Sequence, residues 1–347
     1  MKISKIPGLG RFGVFIDDIN LYEITDDEWM AIGKLHLESL VTIIRGNDLD
    51  HGTYYKLFEK WGTPRYNRPI EFYKKYGKPL KDLVLNNELD PEDLQTFNNG
   101  RRWQVDKRYP GMVRVTPKKN IKGETVGIFG DGELKWHSNE CGDTVFTPGV
   151  ALMGWEKMSG SCTGFCTSVD WYERQTEAFR SELDEMIVIH NYQPKTLSPI
   201  IIEEQERFYK NNMCPEDNSD IPLIIRSPGG IKGVHLGINT ADYIEGMSKA
   251  DSDKLFAKIH KEMFVDEYIY KHWYKSDNDI LIFDNSITVH NREIELENAP
   301  ERIAYRIQFD YNHLVKDYKP FFQEQYNQRR QERLLLLEKA MEGMQTR

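Results

Sequence analysis

The stretch DILIFDNSITVHN at residues 279–291 decides the fold. It opens with four consecutive apolar residues at 280–283, which is typical of a strand buried on both faces. A polar turn at 284–286 ends this strand. Thr288 and His290 then share one face of the next strand, because side chains alternate along extended backbone. Two strands joined by a short polar turn indicate a β-rich core, with a histidine close to the end of a strand.

A second strand pattern lies downstream, in ERIAYRIQF at residues 301–309. Its apolar face is formed by Ile303, Tyr305, Ile307 and Phe309. Arg302 and Arg306 project from the other face, about 13 Å apart at ~3.3 Å per residue. If this face is enclosed, both guanidinium groups need anionic partners, and a small dicarboxylate would suit one of them. The pattern alone leaves open an exposed face with solvated arginines.

The segment ELKWHSN at residues 133–139 is the third candidate strand. Alternation along an extended chain places His137 and Asn139 on one face. Glu140 falls on the opposite face unless the chain turns at that point. His137 and His290 are 153 residues apart in sequence, so the two imidazoles meet only inside a folded barrel.

Composition places the chain among globular proteins. Its 347 residues are 39% hydrophobic and 29% charged, which excludes collagen-like and wholly disordered chains. Lys+Arg 46 against Asp+Glu 55 gives a formal net charge of -9, so the chain lacks the basic character of proteins that bind a phosphate backbone. Nucleic acid is therefore not an expected partner.

Cysteine use and the N-terminal segment favour a soluble cytoplasmic protein. Four cysteines are too few for a disulfide framework at this length, and we expect them to be small half-buried residues in a reducing compartment. Cys162 and Cys166 lie close together, but a single Cys-x3-Cys pair is weak support for zinc. Asp17 and Asp18 interrupt any signal peptide, and no run reaches the ~18 apolar residues of a membrane helix.

Helices are predicted around the strand motifs. Thr25 is a suitable N-cap for a helix over 25–40, with acidic residues in its first turn. Further helices are predicted at 52–61, 91–97, 171–183 and 248–264. Short strands broken by glycines fill 113–143, and the polar stretch 192–222 predicts a long surface excursion. A C-terminal helix carries an apolar stripe, which we expect to pack on its own domain or across a homodimer; the stripe consists of Leu334, Leu337, Met341 and Met344.

Five motifs follow one another along the chain. They are WHSN at 136–139, GSCT at 160–163, RSPGGIKGVHLGINTADYIEGMS at 226–248, DNSITVH at 284–290 and RIAYR at 302–306. In this order they resemble the taurine dioxygenase and 2,4-D dioxygenase (TauD/TfdA-like) family of Fe(II)/2-oxoglutarate oxygenases. With IIRG and the downstream EKWG, the likeness spans roughly residues 35–312. It implies a mainly β (α+β) fold: a double-stranded β-helix, or cupin-like jelly-roll, with helical decoration.

The resemblance also implies a domain organisation. A single oxygenase domain is expected over residues 1–315, with the barrel motifs at 113–312 and a lid or insert at about 165–225. From the sequence pattern itself, residues 316–347 are expected to be a C-terminal helical extension. Substrate contacts are expected from variable loops at 64–105 and 165–225.

The resemblance implies an iron site with two histidines and one carboxylate. His137 and His290 match the two histidine ligands, and Asn139 stands where the family has aspartate. An amide oxygen is neutral, so we expect iron affinity to be lower. Asn139 binds weakly or through water, Glu140 reaches the metal if the strand ends in a turn, or an exogenous ligand fills the position as in 2-oxoglutarate halogenases. An engineered replacement of aspartate by Asn139 is a further interpretation.

The resemblance assigns three more residues to small acids. Thr163 and Arg302 match the threonine and arginine that hold the distal carboxylate of 2-oxoglutarate. A guanidinium is a permanently charged fork for a carboxylate, and a hydroxyl adds a donor. Arg306 matches a second arginine, which in some members reaches the acid group of the substrate. With three protein ligands on the iron, three coordination positions remain: two for the oxo-acid and one for O2.

The function implied by this resemblance is oxidative decarboxylation of 2-oxoglutarate coupled to C–H hydroxylation of a small polar substrate. The alternatives are a halogenase or another non-hydroxylating oxidase at the altered metal site, or a non-catalytic family member that binds a ligand. A small molecule is the expected partner, with neither nucleic acid nor membrane. His190 and His235 either enter the pocket or are structural, and His260 with Glu262 imitates a metal motif on a helix, where the two side chains diverge.

Overall fold

The computed structural model describes residues 1–64, 75–77, 83, 87–91, 108–109, 111–123, 126–129, 133–141, 146–190, 219–237, 240–293 and 301–316. Apart from residues 91 and 316, the helices predicted at 91–97 and 316–347 lie outside these ranges, as does Cys214. Most of the predicted loops at 64–105 and 192–222 also lies outside them.

Helices decorate the described chain, and their caps follow from the sequence. They are α1 (Asp26–Ser39), α2 (His51–Trp61), α3 (Val169–Glu173), α4 (Glu177–Glu185) and α5 (Lys249–Met263), with a 3-10 turn at Asp266–Tyr268. The Thr25 side chain accepts the Glu28 N–H while the Glu28 carboxylate accepts the Thr25 N–H, a capping box that confirms the predicted start of α1. Ser248 caps α5 in the predicted place.

The single helix predicted at 171–183 is wrong. The structure has α3 and α4 instead, with a break after Arg174. Thr176 is extended there, and its side chain accepts the Phe179 N–H. A threonine that caps a new helix competes with continuing the old one, because its hydroxyl satisfies an amide that a continuous helix would bond to a carbonyl.

Strands make up the rest of the regular structure. They are β1 (Lys2–Lys5), β2 (Val14–Asp17), β3 (Val41–Ile44), β4 (Val113–Val115), β5 (Leu134–His137), β6 (Gly149–Glu156), β7 (Cys162–Thr167), β8 (Ile187–His190), β9 (Ser219–Pro222), β10 (Ile224–Arg226), β11 (Lys232–Val234), β12 (Ala241–Ile244), β13 (Ile269–Trp273), β14 (Ile280–Asp284), β15 (Thr288–Arg292) and β16 (Ile303–Phe309). The described strands form a seven-stranded sheet in the order β1-β2-β3-β14-β6-β16-β4, a four-stranded sheet β13-β7-β15-β5, a three-stranded sheet β12-β8-β9 and the pair β10-β11.

The seven-stranded sheet is apolar on both faces, as the sequence of β14 predicts. Ile280 and Ile282 pack in a cluster with residues of α1 and α2. Leu281 and Phe283 point the other way, into a cluster shared with the four-stranded sheet. There the Phe283 ring lies 5.3 Å from that of Phe165 on β7. The two larger sheets therefore face each other, which agrees with the expected mainly β fold, although the described strands do not close into a continuous barrel.

Alternation along β16 also holds. Tyr305 and Ile307 join the cluster on the helix side, whereas Ala304 faces the four-stranded sheet. Arg302 and Arg306 are 2% and 8% exposed, so both arginines are enclosed. The alternative of a solvated arginine face is excluded.

The C-terminal end of α2 is clamped to the segment that follows β16. Gly62 donates to the Phe58 carbonyl, and Asp310 donates to the Thr63 carbonyl. The two backbone segments approach so closely that a Cβ added at Gly62 would lie 1.1 Å from the Asp310 carbonyl oxygen. Only glycine fits this crossing.

No helix in the described ranges has both the length and the apolar character needed to cross a bilayer.

Cys141, Cys162 and Cys166 are buried free thiols, and burial raises the pKa of each to about 12. Thiols with such pKa values are unreactive at neutral pH.

Candidate active site

Two histidines from distant parts of the sequence meet in the four-stranded sheet. Strand β15 pairs with both β5 and β7, and in this register His137 lies directly opposite His290. Their ring centroids are 4.2 Å apart. The sheet thus brings together two histidines that are 153 positions apart in sequence, as a shared site requires.

Both imidazoles are in the form that binds a metal. His137 Nδ1 lies 2.7 Å from the Lys135 carbonyl oxygen, which only accepts, so Nδ1 carries the proton and Nε2 presents its lone pair. Burial lowers the pKa of His137 to about 4, and the charges of Arg306 and Arg292 lower it further against the Lys135 hydrogen bond. Burial, helped by His137 and Arg306, also holds the pKa of His290 well below its ordinary value. At neutral pH both rings are uncharged.

Strand β5 ends at His137, and the chain turns immediately afterwards. Glu140 has φ of 60° within this turn, so strand alternation no longer sets the direction of the Asn139 side chain. The Asn285 amide holds the turn instead: its Oδ1 accepts the Asn139 N–H at 2.8 Å, and its Nδ2 donates to the Asn139 carbonyl at 2.8 Å. Asn139 is buried, and its Nδ2 has no hydrogen-bond partner in the described structure.

Glu140 is directed towards β16. Its Oε1 accepts a hydrogen bond from Gln308 Nε2 at 3.1 Å. Burial lowers the pKa of Arg306 to about 10, while the Glu140 carboxylate raises it. Arg306 lies over the Phe129 ring at 5.5 Å, and its Nε has no hydrogen-bond partner in the described chain. The guanidinium is therefore a buried cation that faces the histidine pair with unused donor capacity.

A second polar group lies along the same inter-sheet space. Thr163 on β7 stands opposite His272 of β13, and Arg302 precedes β16. Tyr274, which follows β13, is buried, and burial raises the pKa of its hydroxyl far above the ordinary value, against smaller effects of the Thr163 side chain and the Arg302 charge. Its hydroxyl makes no hydrogen bond of normal geometry. Thr163 and Arg302 both act on the Tyr274 hydroxyl, so the three polar groups lie near one another.

Tyr274 is the residue that the motifs miss. The resemblance carries only a threonine and an arginine to this pocket. A period-two pattern in IYKHWY at 269–274 places Tyr270, His272 and Tyr274 on one face, which was the available signal. Without the pairing of β13 with β7, nothing in that pattern connects the tyrosine with Thr163.

Buried polar atoms without partners test whether a ligand fits here. Near the histidine pair and Tyr274, and within the described ranges, they include Asn139 Nδ2, Ser161 Oγ, Tyr274 Oη, His290 Nδ1, Asn291 Oδ1 and Arg306 Nε. Each such group costs about 1–3 kcal/mol when left unsatisfied. The obligate donors Asn139 Nδ2 and Arg306 Nε fit an anion, and the two neutral imidazoles fit a divalent metal. In the same ranges, His, Cys, Asp and Glu side chains form no group of three that suits a metal ion.

The polar turn at 284–286 contains an unusual carboxyl. Asp284 is buried, and its Oδ1 accepts the Ser286 N–H at 2.8 Å and the Ile287 N–H at 3.3 Å. Burial nevertheless raises the pKa of Asp284 to about 7. The folded state therefore binds one more proton than the unfolded state between pH ~4 and ~7.

This difference predicts how stability depends on pH. The contribution of Asp284 is fully present below its unfolded pKa and is lost as the pH rises through about 7. In Asp284→Asn the fall in unfolding free energy between pH 5 and 8 should be markedly smaller than in the wild type. Urea denaturation at several pH values checks this, with the exposed-site variant Asp253→Asn as control. Parallel pH profiles for wild type and Asp284→Asn would refute the assignment.

The remaining histidine candidates are separate from the pair. His260 and Glu262 lie on α5, where the Glu262 carboxylate accepts from the Trp171 indole N–H at 2.9 Å. Glu262 therefore joins α3 to α5. His190 and His235 are both buried, in and beside the smaller sheets.

Comparison of the sequence with family profiles gives one match over most of the chain. The profile described as "Taurine catabolism dioxygenase TauD, TfdA family" matches residues 3–308. A comparison with curated proteins gave no significant match.

Solved structures share the fold at low sequence identity. A taurine dioxygenase from Burkholderia xenovorans superposes with a TM-score of 0.60 at 14% identity, covering 88% of this chain and 89% of that one. The protein AAD-2, solved in complex with Mn(II) and N-oxalylglycine, has a TM-score of 0.59 at 14% identity and covers 89% and 97%. At such identity these likenesses concern the fold alone.

Proposed function

The chain belongs to the taurine catabolism dioxygenase TauD, TfdA family, and from this premise we propose that it is an Fe(II)- and 2-oxoglutarate-dependent oxygenase of a small polar substrate. The observation that carries the proposal is the register of β15 on β5, which sets His137 opposite His290 as neutral imidazoles. The buried pocket of Thr163, Arg302 and Tyr274 supports it independently.

In this proposal His137 and His290 hold the metal, with the Asn139 amide as a weaker third ligand. When bound, iron with 2-oxoglutarate and O2 supplies oxidative decarboxylation and oxidation of a substrate C–H bond. The Lys135 carbonyl fixes the His137 tautomer, so the Nε2 lone pair is presented without a proton being released.

The co-substrate carboxylate is held by the inter-sheet pocket. Arg302 provides the positive charge, and the hydroxyls of Thr163 and Tyr274 provide donors. Because the group is enclosed between two sheets, each of these contacts acts at low dielectric, where a charge-assisted hydrogen bond is strongest.

Arg306 has a different role. It lies near enough to both histidines to lower their pKa values, and Glu140 partly balances its charge. A permanently charged guanidinium beside the metal position attracts a carboxylate, either of the oxo-acid or of the substrate. The aromatic rings of Phe129, Phe165 and Phe283 surround this space and reduce access of water.

One feature of the sequence favours a second outcome at the same site. By the resemblance, Asn139 stands where the family has an aspartate, and a metal without that anionic ligand could bind a halide or another anion in its place. Halogenation, or ligand binding without turnover, is therefore the second candidate. The bulk of the amide and its clamped backbone argue for hydroxylation first.

Asn139→Asp and Glu140→Gln test the proposal together. Restoring an anionic oxygen beside His137 should tighten Fe(II) binding about tenfold and raise succinate release from 2-oxoglutarate. Glu140→Gln removes one negative charge at the neighbouring residue and should alter Fe(II) affinity little, because the Glu140 carboxylate interacts with Gln308 and Arg306. Metal titration and succinate assays, with and without chloride, provide the measurements.

The reverse pattern would contradict this ligand set. If Glu140→Gln abolishes metal binding while Asn139→Asp has no effect, the third ligand is Glu140. Chlorinated product that disappears in Asn139→Asp would establish the second candidate. Absence of both Fe(II) and 2-oxoglutarate binding in the wild type would overturn the oxygenase proposal.

A further inference from the structure

A buried histidine and a buried carboxylate form a pair beside Thr163. His272 lies on β13, directly opposite Thr163 on β7, and its Nε2 is 3.0 Å from Asp279 Oδ2. The two residues of the pair are 4% and 6% exposed. The proposed metal and co-substrate contacts use neither of them.

Both nitrogens of the His272 ring are anchored. A carboxylate accepts hydrogen bonds, so Nε2 donates to Asp279. Nδ1 lies 3.3 Å from the Tyr270 hydroxyl, which is able to donate or to accept. Asp279 is held in turn, because its Oδ1 accepts the Gly46 N–H at 3.0 Å and its carbonyl accepts the Gly154 N–H at 2.9 Å. The plane of the imidazole is therefore fixed from two sides.

The anchored imidazole packs against the ring of Tyr274. The two ring centroids are 4.7 Å apart with an interplanar angle of 82°, an edge-to-face contact. The Tyr274 N–H donates to the Ser161 carbonyl at 3.0 Å, and the Tyr274 carbonyl accepts the Gly160 N–H at 3.2 Å. A Cβ added at Gly154 would lie 3.3 Å from Tyr274 Cε1, so the ring also lies against β6. The backbone and the ring of this tyrosine are thus both confined.

Stability alone does not explain a polar pair at this place. Burying a carboxylate costs desolvation free energy, and replacing a buried charged pair by apolar residues of similar volume is often neutral or stabilising. An apolar side chain at position 272 would also pack against the Tyr274 ring, but no hydrogen bond would fix its orientation. What the anchored imidazole adds is a defined direction for its neighbour.

We propose that His272 and Asp279 are positioning residues that orient the Tyr274 hydroxyl towards the distal carboxylate of 2-oxoglutarate. This inference rests on the proposed function and deepens it. Asp279 fixes the imidazole, and the imidazole fixes the tyrosine; neither member of the pair touches the co-substrate. A donor that is already in place loses less conformational freedom when the ligand binds, so the affinity depends on the pair without a direct contact.

A double-mutant cycle on 2-oxoglutarate affinity tests this role. His272→Phe keeps a ring against Tyr274 but removes both anchoring nitrogens, and it should weaken 2-oxoglutarate binding to the metal-loaded protein about fivefold. In the Tyr274→Phe protein the same change should have no further effect, because the hydroxyl that the pair orients is absent. A purely structural role would lower the affinity by the same factor in both backgrounds.

His36→Phe is the matched control. His36 on α1 is also buried and also has a hydrogen-bond partner at each ring nitrogen, but it stacks on Trp61 in the helix-side cluster. This change should leave the 2-oxoglutarate affinity unaltered, even where it lowers the free energy of unfolding.

Asp279→Asn is the second variant, for use if His272→Phe leaves the carboxylate unpaired and the protein does not fold. It keeps the shape of the side chain and removes its charge. Binding of 2-oxoglutarate should weaken about threefold, and again only when the Tyr274 hydroxyl is present.

The ligand-free protein provides an independent readout. With [ζ-¹³C]tyrosine labelling, the Tyr274 resonance, assigned through Tyr274→Phe, should be one sharp line in the wild type and a broadened or split line in His272→Phe. Equal losses of affinity in both backgrounds, or an unchanged Tyr274 line in His272→Phe, would overturn the positioning role. A wild type that binds no 2-oxoglutarate would overturn the oxygenase proposal, whereas the Tyr274 line would still decide whether the pair orients the hydroxyl.

Discussion

Arg302→Leu should weaken 2-oxoglutarate binding about a hundredfold while the protein remains folded. Arg302 is 2% exposed, and it brings the positive charge to the pocket that contains Thr163 and Tyr274. Two lost charge-assisted hydrogen bonds at ~1.5 kcal/mol or more each amount to ~3 kcal/mol, or about two orders of magnitude in affinity.

Calorimetric titration of the metal-loaded protein measures this effect. Tyr274→Phe, which removes one neutral donor, should cost less, about tenfold, in keeping with ~1.4 kcal/mol. 2-Oxobutanoate lacks the distal carboxylate and is the ligand control: its weak binding should be the same in wild type and Arg302→Leu. Unchanged 2-oxoglutarate affinity in Arg302→Leu would remove the pocket assignment.

Gly62→Ala should destabilise the fold by more than ~4 kcal/mol, a loss that is exceptional for one methyl group. The added Cβ would overlap the Asp310 carbonyl oxygen, which is backbone and has nowhere to move while Asp310 donates to Thr63. This overlap can be removed only if α2 moves away from the segment after β16. Such a movement would also disrupt part of the packing of Trp61 against Phe309.

Gly160→Ala is a suitable control because nothing lies within 4 Å of its added Cβ. Its positive φ of 88° makes alanine unfavourable by about 1 kcal/mol without any clash. Urea denaturation of both variants compares the two costs. If Gly62→Ala lowers the free energy of unfolding by less than ~2 kcal/mol, the backbone at Gly62 and Asp310 can move apart to accept the methyl group, which would contradict this prediction.

Most of the strands and helix starts could be predicted from local sequence patterns. The alternation in β16 follows from side-chain geometry, so it predicted the apolar face and the shared face of Arg302 and Arg306, but not that the arginine face is enclosed. Thr25 and Ser248 marked helix starts because a capping side chain acts on amides within three residues. Such signals are contained in a few consecutive residues and need no knowledge of the rest of the chain.

Features that depend on distant contacts were out of reach. The Cα register of His137 on His290 is a property of a sheet, and the resemblance to a family supplied what spacing did not. The turn at Glu140 and its contact with Gln308 depend on β16, which lies 168 residues away. Tyr274 was missed for the same reason, since β13 meets Thr163 only after the sheet forms.

The Asn285 clamp separates the identity of residue 139 from its position. The two hydrogen bonds that the Asn285 side chain makes to residue 139 both go to its backbone, so they do not depend on which side chain that residue carries. Residue 139 can therefore be an amide, a carboxylate or a smaller side chain while the backbone of the turn keeps its conformation. If residue 139 is the third metal ligand, as proposed above, a single substitution at this position can change the metal site while the backbone of the turn is retained.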